Sequence, residues 1–244
     1  MRYVLAGGGS GGHIYPALAV AAALPTADAA AEVLYLGSTS GPESELVRRV
    51  GTPFAAVAAG PLRQANPLAV AGNGIRMVQG TWQARGIMSR FRPQAILVTG
   101  GYVSAPVALA GRALGIPIAI FLPDIHPGLA IRSLARLAKV VAATSSRSRR
   151  YLPHVPLAEV GYPVRPEFAQ LTKGQAKVRL HLEEGLPTLL ILGGSQGARS
   201  INVAVSQAVA GLLELCQVIH ISGPADLVWL KPLADALPPP RFPA

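Results

Sequence analysis

Short apolar runs, separated by glycine-rich or polar breaks, alternate along the chain with longer stretches of helical spacing. Met1–Ala6, Glu32–Leu36, Pro53–Ala58, Gln94–Val98, Pro117–Phe121, Lys139–Ala143, Leu157–Val160, Thr188–Leu192 and Cys216–Ile221 have the length and composition of buried strands. Ile14–Leu24, Pro42–Val50, Asn66–Phe91, Gly128–Leu137, a short basic stretch at Arg147–Arg150, Lys173–Leu182, Arg199–Leu213 and Ala225–Leu237 read as helices. Strands that are apolar throughout and alternate with helices belong to parallel sheets covered on both faces. The predicted class is α/β, with two doubly wound parallel sheets facing a cleft. Gly161–Pro166 holds Pro163 and Pro166 and reads as an interdomain connector.

Glycine loops follow three of these strands. Gly7-Gly8-Gly9-Ser10-Gly11-Gly12-His13 follows the first, Thr99-Gly100-Gly101-Tyr102-Val103-Ser104 the fourth, and Gly193-Gly194-Ser195-Gln196-Gly197-Ala198 the Thr188–Leu192 strand. A glycine turn between strand and helix exposes backbone N–H groups and a helix N-terminus, an arrangement that cradles phosphate. Gly7, Gly9 and Gly12 fit the spacing G-x-G-x-x-G, but the second strand ends in Gly37-Ser38-Thr39 without the acidic residue a dinucleotide site needs. A nicotinamide-dependent oxidoreductase is therefore disfavoured. A P-loop needs lysine after its last glycine, and His13 stands there instead. Anion binding is preferred over a turn that serves packing alone.

Composition narrows the partners. Half of the 244 residues are hydrophobic, 14% are charged, and the net charge is +10. Only 5% of the chain is aromatic, and basic residues are not interleaved with aromatics, which argues against nucleic acid. An anionic membrane surface or a polyphosphate substrate explains the charge as well, and a lineage preference for arginine is the alternative. Leu68–Arg92 mixes large apolar residues with Arg76, Arg85, Arg90 and Arg92, although its Trp82 and methionines are by default core residues. No uninterrupted apolar run has the length of a membrane span, the chain opens directly on a strand, and the lone Cys216 in an apolar strand fits a reducing compartment; a cytoplasmic protein is expected. No Asp-X-Asp pair occurs and His154, His181 and His220 are scattered, so neither a metal nor a cofactor is expected.

The segments 7–21, 100–106, 161–165 and 193–202, taken together and in order, resemble the lipid I N-acetylglucosaminyltransferases of glycosyltransferase family 28 (the MurG family, GT-B fold). That resemblance implies inverting transfer of GlcNAc from UDP-GlcNAc to a lipid-linked diphosphate sugar, at the cytoplasmic face of the plasma membrane, in peptidoglycan synthesis. It implies an acceptor and membrane-associated domain over 1–160, a connector over 161–170 and part of a donor domain over 171–244. Carried over by motif, Gly8, Gly9, Ser10, Gly11, Gly12, Gly100, Gly101, Tyr102 and Ser104 would hold the acceptor diphosphate. Arg165, Gly194, Ser195, Gln196 and Gly197 would hold the donor, and His13 would act in catalysis. Phe121-Leu122-Pro123-Asp124 stands where the family carries His-Glu-Gln-Asn, so Asp124 becomes the candidate to orient His13 or act as base. Tyr162 replaces the usual connector asparagine. The family pattern continues beyond Ala244, so a fragment or a gene cut short is expected, a separate C-terminal half being one way to complete it, with weak UDP-GlcNAc binding and no transfer by these residues alone. The alternatives are a nucleotide-sugar-binding remnant without turnover and a transferase for another lipid acceptor.

Overall fold

The computed structural model describes residues 1–39, 41–61, 67–194 and 196–237, without the side chains at 67–69, 71, 167 and 169. The loop residues Leu62 and Arg63, the expected helix start at Asn66, Ser195 and the proline tail 238–240 lie outside the described residues. The chain forms two compact units, Met1–Pro166 and Glu167–Ala244.

The first unit is a parallel sheet of β1 (Arg2–Gly7), β2 (Glu32–Ser38), β3 (Phe54–Val57), β4 (Ala95–Gly100), β5 (Ile118–Leu122), β6 (Val140–Ala143) and β7 (Leu157–Glu159). The strand order is β3-β2-β1-β4-β5-β6-β7. Helices α1 (Gly11–Ala27), α2 (Glu43–Arg49), α3 (Pro67–Phe91), α4 (Ser104–Ala113) and α5 (Leu129–Leu134) connect it. Alternation along β1 sorts its side chains: Val4 and Ala6 join the core shared with Ala84, Met88, Val107 and Ala108, while Leu5 packs with Ile14, Ala17, Leu18 and Tyr35. Both sheet faces are thus buried, which is why the strands are apolar throughout. Order reverses between β1 and β4, and ligands of open α/β sheets bind at the carboxyl end of such a switch point.

Helix α4 has no counterpart among the sequence-based elements. Its Ser-Ala-Pro opening reads as a loop, yet Pro106 stands in the first turn, where no intrahelical N–H bond is lost. The expected helix over Gly128–Leu137 is α5 followed by a 3-10 turn at Ala135–Leu137, and the basic stretch is a 3-10 helix over Ser146–Tyr151.

The second unit holds α6 (Lys173–Arg179), β8 (Thr188–Leu192), α7 (Arg199–Leu215), β9 (Gln217–Ile221) and α8 (Pro224–Asp235), with β8 and β9 parallel. A capping box between Thr172 and Gln175 starts α6. Lys177 turns inward instead of joining a charged face: its ammonium donates to the carbonyls of Glu183, Glu184 and Leu186 at 2.7–3.0 Å. Cys216 ends α7, with its thiol on the Leu212 carbonyl, one residue before the strand.

Candidate functional site

The site is built on a register slip. β1 and β4 pair Ala6 with Val98 and then Gly7 with Gly100, leaving Thr99 as an extra residue. A bulge of this kind re-aims the residue it contains. The Thr99 hydroxyl donates to the His13 carbonyl, and its own carbonyl lies 3.0 Å from His13 Nδ1. Because a carbonyl only accepts, Nδ1 carries the proton and Nε2 presents a lone pair, for which no described residue supplies a donor. Gly100, at φ +117°, lies against the imidazole: a Cβ there would fall 2.5 Å from Nδ1.

The loops after β1 and β4 interlock. Gly8 N–H donates to the Gly100 carbonyl at 3.3 Å, and Gly101, at φ +79°, passes so close to Gly8 that a Cβ would sit 2.0 Å from its oxygen. Tyr102 lays its ring over Gly9. These contacts sort the expected diphosphate ligands. The N–H groups of Gly8 and Gly9 are engaged, the first by Gly100 and the second, at 3.5 Å, by Glu43. Ser104 is buried, and its hydroxyl donates to the Gly100 carbonyl at 2.7 Å, so it braces the loop from beneath. The N–H groups of Ser10, Gly11 and Gly12 at the start of α1, and of Gly101, Tyr102 and Val103 at the start of α4, have no acceptor among the described residues. Two helix N-termini therefore bring unpaired donors and positive dipole ends to the switch point, beside His13.

Asp124 is exposed after β5. The Thr99 carbonyl, not Asp124, holds His13 Nδ1, so the expected orienting role falls to the bulge. Asp124 instead lies near Tyr162, whose hydroxyl is pushed up from its ordinary pKa by burial first and by this carboxylate second. Tyr162 meets Phe121 edge-on, with centroids 5.6 Å apart, so two of the departures from the family pattern pack on each other. Arg165 places its guanidinium 5.0 Å from the centre of the Tyr15 ring, in the first turns of α1. The connector is thus held at two points to the first unit. Burial, with Glu43 second, drives the Tyr35 hydroxyl far above its ordinary pKa; it donates to the Gly7 carbonyl at 2.8 Å.

In the second unit Gly194 (φ +88°) and Gly197 (φ +78°) form a turn closed by Gly197 N–H on the Gly194 carbonyl at 3.0 Å. Ser195 lies outside the described residues, and Gln196 is exposed. The turn rests against Ser222-Gly223, where a Cβ on Gly223 would meet the Gln196 backbone at 2.4 Å. Beneath it, buried Asn202 donates to the Ser222 carbonyl (2.9 Å) and to Asp226 (2.7 Å) and accepts from His220 Nε2 (2.9 Å). Hydrogen bonds from Trp229 and Asn202, with Arg199 adding to them, hold the Asp226 carboxyl down at a pKa of about 2. Sequence spacing gave no sign of this network, because its members are scattered between Arg199 and Trp229 and meet only when α7, β9 and α8 pack.

Glu43 is the other residue missed. The second strand ends without a carboxylate, yet α2 returns one to that spot: Glu43 accepts Ser38 N–H at 2.6 Å. It is fully buried and bound to protein donors, so it offers nothing to a ribose, and the dinucleotide reading stays disfavoured. Among the described residues no group of three His, Cys, Asp or Glu side chains could hold a metal, and no helix is long and apolar enough to cross a membrane. The outer face of α3 exposes Ile75 (71%), Val78 (61%) and Trp82 (70%), with Arg76 and Arg85 alongside; Met88 is core, but Trp82 is not.

These features define a doubly wound α/β protein with two glycine loops and unpaired backbone N–H groups at the carboxyl edge of its sheet. Solved structures of that architecture include Acinetobacter baumannii MurG (TM-score 0.67, 24% identity, covering 99% of this chain and 65% of that one). The UDP-GlcNAc 2-epimerase of Methanocaldococcus jannaschii is similar (TM-score 0.68, 13% identity, 100% and 72%). At these identities the likeness is one of fold. The model of the glycosyltransferase family 28 N-terminal domain matches residues 3–143, and the chain belongs to that family. Similar curated relatives are the UDP-N-acetylglucosamine–N-acetylmuramyl-(pentapeptide) pyrophosphoryl-undecaprenol N-acetylglucosamine transferases of Roseiflexus sp. and Symbiobacterium thermophilum. They are 40% and 39% identical over 98% and 91% of this chain. The chain spans about three fifths of their length, 63% and 60%.

Proposed function

We propose that the chain carries the acceptor side, and the phosphate loop of the donor side, of an inverting transferase that moves GlcNAc from UDP-GlcNAc to a lipid-linked diphosphate sugar. The observation that carries this reading is the convergence of the α1 and α4 N-termini beside a histidine whose Nε2 lone pair is open. In this reading the six unpaired N–H groups bind the acceptor diphosphate. His13 Nε2 takes the proton of the acceptor hydroxyl as its oxygen bonds to the sugar's anomeric carbon and the bond from that carbon to UDP breaks. The departing diphosphate keeps the electron pair; a helix that starts after a glycine turn, as α7 does after Gly194–Gly197, suits the phosphates of the donor. A positioned general base of this kind contributes roughly 10²–10⁴-fold. Asp124, exposed at the same sheet edge, is the second candidate base. The relatives' printed names, which specify transfer to a pyrophosphoryl-undecaprenol acceptor, support the choice of substrates.

The same reading places α3 against an anionic membrane. Its exposed stripe follows helical spacing at 75, 78 and 82 and is flanked by arginines, the pattern of a surface that inserts shallowly while its cations meet lipid headgroups. In this reading the membrane is the plasma membrane and the site works at its cytoplasmic face.

The test is a chimera in which this chain continues, after Leu237, with the corresponding remainder of the Roseiflexus relative. Transfer of labelled GlcNAc to a short-chain lipid diphosphate sugar is expected, with loss of at least ~10²-fold in kcat/KM on His13→Ala. UDP-GlcNAc binding without transfer would favour a nucleotide-sugar-binding protein instead, and near-normal turnover of the variant would remove His13 from the chemistry.

A further inference from the structure

One carboxylate at the carboxyl edge has no part in the chemistry above. Glu43 opens α2 and is fully buried. Its Oε1 accepts both Ser38 N–H and the Ser38 hydroxyl at 2.6 Å, and its Oε2 faces Gly9 N–H at 3.5 Å. None of the described ion pairs includes it. Glycines clear its place: a Cβ would fall 2.7 Å from Oε1 at Gly8, 2.5 Å from Cγ at Gly37 and 2.0 Å from Oε2 at Gly41. A buried charge without a cation is costly, and three residues without side chains make room for this one.

The contacts extend beyond Glu43. Having donated its proton to Glu43, the Ser38 hydroxyl can only accept, and the Tyr102 hydroxyl is 3.5 Å away. The Tyr102 ring in turn covers Gly9, 3.1 Å from where a Cβ would be. Hydrogen bonds thus run from Tyr102 to Ser38 to Glu43, and from Gly9 to Glu43, tying together the loops that follow β4, β2 and β1.

We infer that Glu43 is the positioning residue of the anion site. It turns Gly9 N–H inward, fixes Tyr102 over the first loop through Ser38, and so sets the separation of the two groups of unpaired N–H donors. This rests on the anion-binding reading of the loops. Sign separates it from the simplest alternative. A buried negative charge beneath an anion repels it, so neutralising Glu43 would tighten anion binding if charge were its main effect. If Glu43 shapes the loop, neutralising it weakens binding. Glu43→Gln keeps the size of the side chain but, whichever way the amide is flipped, turns an N–H₂ group toward either Ser38 or Gly9 and breaks one tie. Ser38→Ala keeps the carboxylate and its bond from Ser38 N–H, and removes the hydroxyl's bond to Glu43 together with the link to Tyr102.

The experiment is calorimetric titration of the whole chain with inorganic pyrophosphate, with each variant's melting temperature measured alongside. Glu43→Gln should weaken binding ~10-fold, the scale of one lost charge-assisted hydrogen bond. Ser38→Ala should weaken it several-fold, and the double variant should lose less than the product of the two single effects, because both variants act on groups bound to one carboxylate. Unchanged or tighter binding by Glu43→Gln, whatever its melting temperature, overturns the inference. Should that variant not fold, unchanged affinity in Ser38→Ala overturns it equally. Failure of the unaltered chain to bind pyrophosphate would remove the anion site and this role with it, whereas normal binding indifferent to both variants would remove Glu43 alone.

Discussion

The interlock between the two loops can be weighed by placing one methyl group at Gly101. That residue sits at φ +79°, where a side chain costs about 1–2 kcal/mol. A Cβ there would also lie 2.0 Å from the Gly8 oxygen and 2.8 Å from its carbonyl carbon. Carbon and oxygen in contact ordinarily stay ~3.3 Å apart or more, so one loop must move by about 1.3 Å. Forced overpacking of this kind costs about 1–3 kcal/mol in addition. Gly51 supplies the control within the same unit: its φ is +72° and nothing lies within 4 Å of its Cβ position. Gly51→Ala should therefore show the backbone cost alone, and the excess for Gly101→Ala should be about 1–3 kcal/mol, or ~2–12 °C in melting temperature. Any gain from a stiffer unfolded chain is common to both and cancels. Urea and thermal unfolding followed by circular dichroism measure the difference. Equal destabilisation by the two variants would show that the loops do not press on each other, and the anion site would lose its frame.

Asn202→Ala strands His220, the Ser222 carbonyl and Asp226 together, and should cost the second unit about 2–4 kcal/mol in urea unfolding; a loss within error would show the network to be incidental. Acid should act on the same unit through two groups. Asp226 has a folded pKa of about 2, below its ordinary value, so its contribution is complete above about pH 4 and is lost as pH falls toward 2. His220 is lowered by burial, so the unfolded chain takes up its proton first and stability also falls below about pH 6.5. Melting curves of the Glu167–Ala244 region from pH 7 to 2 should decline in both windows, and a flat profile would contradict both assignments. At the membrane, vesicles rich in phosphatidylglycerol should bind the chain more tightly than neutral ones, by about 1 kcal/mol for each arginine at the surface. Trp82→Ser should weaken that binding without changing the melting temperature, and indifference to lipid charge would reject the α3 surface.

Much of the architecture was legible because apolar strands between helical segments leave few alternatives to a parallel sheet. The glycine loops were legible as tight turns because a backbone with positive φ or a close approach after a strand requires glycine. What the sequence hid is what depends on register and on distance along the chain. Thr99 is an ordinary threonine until a slip between β1 and β4 leaves it unpaired. Glu43 is an ordinary first-turn glutamate until Gly8, Gly37 and Gly41 prove to be cleared for it. Helix α4 was missed because its opening carries loop-forming residues, and Trp82 was misjudged because helical spacing alone does not tell a core face from an outward one.

The central claim is that the starts of α1 and α4, with His13 between them, bind the diphosphate of a lipid-linked sugar. The direct measurement is calorimetry of the chain with a soluble short-chain lipid diphosphate sugar, repeated with Gly101→Ala and His13→Ala. Saturable one-to-one binding is expected, weakened ~10-fold or more by Gly101→Ala, which displaces the donors, and to a smaller degree by His13→Ala, which removes a neighbouring group. A folded chain that does not bind this ligand, or binds it equally well with Gly101 replaced, would contradict the account.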